Sequence, residues 1–162
     1  MALSKGEAQF FQNCASELLK CDDVQLMDTF IQHANVSTLE HSVSVAYYSY
    51  LACRKLNLDV DYRNMIRGAL LHDFFLYDWH LKSDRKGLHG FTHPQTALEN
   101  AEEHFALNDM EKDIIIKHMW PLTLTPPKYR EALIVSLSDK FCSLIETLRI
   151  YPGIISRSAV NY

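Results

Sequence analysis

Six positions in this chain carry side chains that can ligate a metal ion or move protons: His41, His72, Asp73, His93, His118 and Asp139. His72–Asp73 alone is a weak signal, because a chain of this composition carries roughly half of one such dipeptide by chance. Its setting gives it weight. It closes the apolar run Gly68-Ala69-Leu70-Leu71. Adjacent residues on a helix point about 100° apart, so the pair approaches one ion, or bridges two, only at a helix end or where other helices converge. Asp139 lies in a helical pattern near Leu137 and Phe141. A carboxylate there is costly to bury unless it is paired or metal-bound.

The elements that must position these residues are helices. Apolar residues recur at three- and four-residue spacing between clustered Gly and Pro breaks, and no alternating strand-like segment stands out. The spacing predicts seven helices: 4–19, 24–32, 38–57, 62–74, 92–105, one from after Asn108 to about His118, and 129–149. Ser4 with Glu7, Ser37 with Glu40 and Asn108 with Glu111 have the spacing of capping boxes. Asp61 reads as an N-cap, and Pro94 falls in a first turn, where its missing N–H is harmless. His41, His93, His118 and the His72–Asp73 pair then lie near helix ends, and Asp139 lies mid-helix. The reading is an all-α fold in a single compact domain spanning 1–162.

Composition bounds the function. At 162 residues, 48% hydrophobic and 22% charged, the chain suits one domain that buries roughly 70% of its unfolded surface. The net charge of −4 argues against a nucleic-acid polymer as partner. No run approaches the length of a membrane span. Cys14, Cys21, Cys53 and Cys142 form no CxxC pair and read as buried or free thiols. No signal-peptide pattern opens the chain, so a cytoplasmic location is expected by default.

The order His…His-Asp…His…His…Asp resembles the HD superfamily of metal-dependent phosphohydrolases, in its small bacterial type. The matching segments are Leu39-Glu40-His41-Ser42-Val43, Arg67 through Asp73, Thr92-His93-Pro94, Ile116-Lys117-His118 and Leu137-Ser138-Asp139-Lys140, within about 38–146. The resemblance implies that His41, His72, Asp73 and Asp139 hold a first ion. It implies that Asp73 bridges to a second, held by His93 and His118. The cofactor would be one or two divalent transition metals, Fe, Mn, Zn, Co or Ni. The expected reaction is attack of a metal-activated water on a small phosphate ester, a nucleotide or phosphodiester. Arg67, Lys117 and Lys140 are candidates for the substrate's phosphate charge. Asp73, Lys140 and Arg67 form the expected catalytic group.

The chain departs from the family where Phe74-Phe75-Leu76 replaces the Ile-Gly-Lys that often follows His-Asp, so no role for that lysine carries over. The single His118-Met119, without paired histidines, argues against a three-metal cyclic-dinucleotide enzyme. The aromatic stretch 77–91 is expected to line the substrate pocket through Trp79, His80 and His89. His33 and His104 read as surface residues. Two alternatives stay open: a di-iron oxygenase like the myo-inositol oxygenase branch, which has the same ligand order, and a metal-containing binding or sensor module. A homodimer is also left open.

Overall fold

The computed structural model describes residues 2–33, 35–81 and 89–148. Among them the architecture is all-α. It comprises α1 (Lys5–Leu19), α2 (Asp22–Gln25), α3 (Thr38–Lys55), α4 (Tyr62–Leu71), α5 (His89–His104), α6 (Asp109–Lys117) and α7 (Arg130–Thr147). A 3-10 turn (Leu26–Thr29) and a two-stranded antiparallel hairpin, β1 (Ile31–His33) and β2 (Val36–Ser37), connect α2 to α3.

The helix starts follow from side-chain chemistry. Ser4, Ser37 and Asn108 each accept the backbone N–H three residues on, and Glu7, Glu40 and Glu111 reach back to the cap backbone. All three are therefore complete capping boxes, which satisfy donors that a helix start otherwise leaves open. Asp61 caps α4 by accepting Asn64 N–H at 3.1 Å. Asn57, just past the end of α3, takes a left-handed φ of 50°, the conformation that often terminates a helix.

Three sequence expectations change. Residues 24–32 do not form one helix: the chain breaks into α2, the 3-10 turn and β1. A hairpin exists where no strand was expected. Its strands are three and two residues long, too short to show alternation. Thr38 ties it to α3, since its N–H and hydroxyl both donate to Phe30 O. Finally, α5 begins at His89, before Thr92, with Pro94 inside it.

α4 is the central helix, packed on α1, α3 and α6, while α7 lies across α3 and α6. Met65, Ile66, Leu70, Leu71, Phe74, Phe75, Ile114 and Ile115 are fully buried, and each such side chain contributes roughly 1.5–3 kcal/mol by leaving water. Gly68 permits the close approach of α4 to α6, because a Cβ there would stand 2.7 Å from Ile114 Cδ1 and 3.1 Å from Ile114 Cβ. That contact fixes the ends of α4 and α6 relative to each other. α7 has an unusual polarity. Its inward stripe, Ala132, Val135, Asp139, Cys142 and Glu146, carries two acids, while Leu133, Leu137, Phe141, Leu144 and Leu148 face outward.

Candidate metal centre

The four helix ends and the middle of α7 converge on Asp73. His72 caps the C-terminus of α4, and His118 caps that of α6. Helix C-termini leave carbonyls without partners. Each ring fills one: His72 Nδ1 donates to Ala69 O and His118 Nδ1 to Ile115 O, both at 2.7 Å. A carbonyl only accepts, so Nδ1 carries the proton in both rings and Nε2 is the atom turned to the centre. His41 enters from the first turn of α3, His93 from α5, and Asp139 from α7. All six residues are buried, with relative exposures of 0 to 6%.

Asp73 divides its two oxygens between two groups of donors. Oδ2 lies 3.4 Å from His72 Nε2 and 3.8 Å from His41 Nε2. Asp139 Oδ1 joins this group, 3.1 Å from His41 Nε2 and 3.9 Å from His72 Nε2. Asp73 Oδ1 lies 3.2 Å from His93 Nε2 and 3.5 Å from His118 Nε2. Those two imidazole nitrogens meet at 2.7 Å. Ligands on one ion at 2.0–2.2 Å stand roughly 3 Å apart, so both groups have ligand-like spacing. His41, His72 and Asp73 form one cluster able to hold an ion, and Asp73, His93 and His118 another. His72 Nε2 and Asp73 Oδ1 are buried yet lack an aligned hydrogen bond among the described residues. Such orphaned atoms are expensive without a partner, and a cation between them would supply one. The donor set therefore fits a transition metal.

Electrostatics separate the two groups. Burial pushes the His41 pKa down, but hydrogen bonds and charge from Asp139 and Glu146 more than reverse this and raise it to about 10. For Asp139, burial is outweighed by the His41 hydrogen bond and the neighbouring imidazoles, and the carboxyl is held well below its usual range. Asp73 behaves likewise, with His72 as its main counter-charge. His118 goes the other way: burial, then the charges of His72 and His93, lower it to about 3.

Four further residues surround the centre that sequence reasoning had not placed there. Gln32 Nε2 donates to Asp73 Oδ2 at 2.7 Å. Glu146 Oε2 accepts from His41 Nδ1 at 2.8 Å. Ser143 Oγ donates to Asp139 Oδ1 at 3.3 Å and lies 3.1 Å from His33 Nε2. His33 is not a surface residue: it is partly buried, its ring 5.4 Å from that of His41. The hairpin carries Gln32 and His33 here, so missing the hairpin meant missing both. A signal for Glu146 does exist in the sequence. Asp139, Ser143 and Glu146 recur at i, i+4 and i+7, one face of a helix.

The expected substrate contacts divide. Lys140 sits at the rim with a side chain 36% exposed, and Nζ donates to His118 O at 2.6 Å and to Asp139 Oδ2 at 3.2 Å. Arg67 has other partners: Nε donates to the buried Glu111 at 2.8 Å, and Glu17 is within ion-pair distance. Its charge serves the α4–α6 contact through Glu111. Lys117 is half-buried in the last turn of α6. Trp79 stacks near His80, their ring centroids 3.9 Å apart, and His80 pairs with Asp78 at 3.2 Å. The side chain of His89 and residues 82–88 of the expected pocket stretch lie outside the described residues. An open depression lined by Asn64, Asn108, Asp109, Met110 and Tyr129 contains none of the six donors.

The HD domain family model matches residues 38–144, more than half of the chain and all six convergent residues. The chain belongs to the HD domain family. No curated protein and no solved structure matches it. HD domains are commonly metal-dependent hydrolases that bind divalent metals, and the His/Asp clusters here could hold such an ion. Gln32, His33 and Glu146 lie just outside the matched stretch. No described helix is long and apolar enough to cross a membrane.

Proposed function

We propose that this HD domain protein is a phosphohydrolase that cleaves a small phosphate ester, a nucleotide or phosphodiester, at a binuclear centre. The observation that carries the reading is the division of Asp73 between two donor groups, the arrangement a carboxylate needs to bridge two ions. In this reading His41, His72, Asp73 and Asp139 hold one ion, and Asp73, His93 and His118 hold the other. Two bound divalent ions would polarise a phosphoryl oxygen and lower the pKa of a water.

The chain's own residues do the rest. His72 and His118 are locked by their carbonyl bonds, so neither ring needs to reorient on binding. Lys140, at the rim, holds the carboxylate of Asp139 and presents its ammonium beside the centre, where a substrate phosphate would approach. Phe75 stacks edge-on against His93 and helps keep bulk water from that side.

The test is phosphate release from a panel of nucleotides and phosphomonoesters with added Mn²⁺, Co²⁺ or Ni²⁺. Release that Asp73→Asn abolishes supports the reading. No release with any metal, together with iron as isolated and a mixed-valence signal, transfers the same ligand set to oxygen chemistry and overturns it.

A further inference from the structure

We propose that Glu146 is a positioning residue of the metal centre, whose carboxylate fixes the His41 ring with Nε2 toward the ions. The inference rests on the metal reading above and concerns a residue outside the family-matched stretch.

His72 and His118 orient themselves with carbonyls of their own helix ends. His41 cannot do so. It stands in the first turn of α3, where the unpartnered backbone groups are N–H donors, not carbonyls. An acceptor for its Nδ1 must come from elsewhere, and Glu146 Oε2 supplies it at 2.8 Å from the last full turn of α7. A carboxylate is a stronger acceptor than a carbonyl, and a histidine ligand held this way binds its ion more tightly.

The arrangement is not what stability alone would favour. Glu146 is 3% exposed, and its second oxygen, Oε1, is buried with no hydrogen-bond partner among the described residues, which costs free energy. The cluster His33, His41 and Glu146 has ligand-like proximity of its own. An ion there would need His41 to shed its Nδ1 proton and bind two ions through one ring. The 2.8 Å contact instead has the length of an N–H···O bond, so the geometry favours orientation over a third ion.

Chelator-competition titration of Zn²⁺ on the full-length protein, with Glu146→Gln and His72→Ala beside wild type, tests this. Glu146→Gln keeps shape and an accepting oxygen but loses the charge. It should weaken the tighter Zn²⁺ by about 10- to 100-fold, while His72→Ala should weaken it more. If wild type takes up no Zn²⁺, the metal reading itself fails. If wild type binds, His72→Ala does not, and Glu146→Gln matches wild type, the role of Glu146 alone is overturned. A fall in the urea midpoint of metal-free Glu146→Gln with unchanged Zn²⁺ affinity marks a merely structural residue and also overturns it. Should Glu146→Gln not fold, long-range ¹H–¹⁵N spectra of Zn²⁺-loaded wild type decide. His41 protonated at Nδ1 and bound through Nε2 is the expected result, and binding through Nδ1 overturns it.

Discussion

Around Asp73 Oδ2 stand His41, His72 and Asp139, backed by Gln32, Ser143, Glu146 and Lys140. Around Oδ1 stand His93 and His118, whose nitrogens meet each other directly. The first side concentrates carboxylates, and His41, bonded to Glu146 and Asp139, is driven toward the charged form. The second side has a single carboxylate oxygen, and burial drives His118 toward the neutral form. In the proposed binuclear reading, the carboxylates make the Oδ2 half the stronger site for a cation, and the Oδ1 half depends on the bridge. The Oδ2 side should fill first and release its ion last.

The largest effect should come from removing what both halves share. Asp73→Ala should abolish uptake of both ions and lower phosphate release by about 1,000-fold or more, since metal activation is worth several kcal/mol. Elemental analysis and a release assay read it. An Asp73→Ala protein that retains one ion would mean that the halves are independent.

Next is the unequal cost of losing a histidine. His41→Ala leaves the buried Glu146 without its counter-charge and Asp139 with that of Lys140 alone. It should destabilise the metal-free protein by about 3–5 kcal/mol in urea unfolding. His118→Ala removes a neutral ring and leaves Asp73 with its other partners, so it should cost about 1–3 kcal/mol. Equal losses would erase the electrostatic difference between the halves.

The two halves should also respond to pH with opposite signs in the metal-free protein. His41 has a folded pKa raised from 6.5 to about 10. Its contribution is fully present below pH 6.5 and is lost as pH rises toward 10. His118 has a folded pKa lowered to about 3. Its neutral, buried form resists protonation, so stability falls as pH drops from 6.5 toward 3. The depressed carboxylates add to the acid-side loss. Urea midpoints across pH 4–10 check this, and His118→Asn should flatten the acid side while leaving the alkaline side intact.

The smallest effects lie in the frame between the halves. Gly68→Ala should cost about 1–3 kcal/mol by forcing α6 from α4. Arg67→Ala should also lower stability by about 1–3 kcal/mol, since it strands the buried Glu111, and leave phosphate release at the wild-type level. A loss of release in Arg67→Ala beyond its loss of folded protein would assign Arg67 a part in the reaction.

The legibility of this molecule in its sequence followed a physical divide. α1, α3, α4 and α6 were readable because Ser4, Ser37, Asp61 and Asn108 announce their starts through local bonds. The convergent six were readable because the family's order survives in the chain. The surrounding layer was not. Gln32 and His33 reach the centre through a hairpin of five strand residues, held by Thr38 and not by any pattern of its own. Glu146 meets a histidine 105 positions away, a long-range contact that local spacing cannot reveal. The pairing of Arg67 with Glu111 was not legible either, because a cation beside a motif looks alike whether it faces substrate or a buried glutamate.

The central claim is that Asp73 bridges two ion sites of unequal strength. Native mass spectrometry of the protein reconstituted with Mn²⁺ or Zn²⁺ tests it most directly, comparing wild type with the double variant His93→Ala/His118→Ala. The account predicts two ions per wild-type chain and one per double-variant chain. One ion in wild type, or two retained in the double variant, would contradict it.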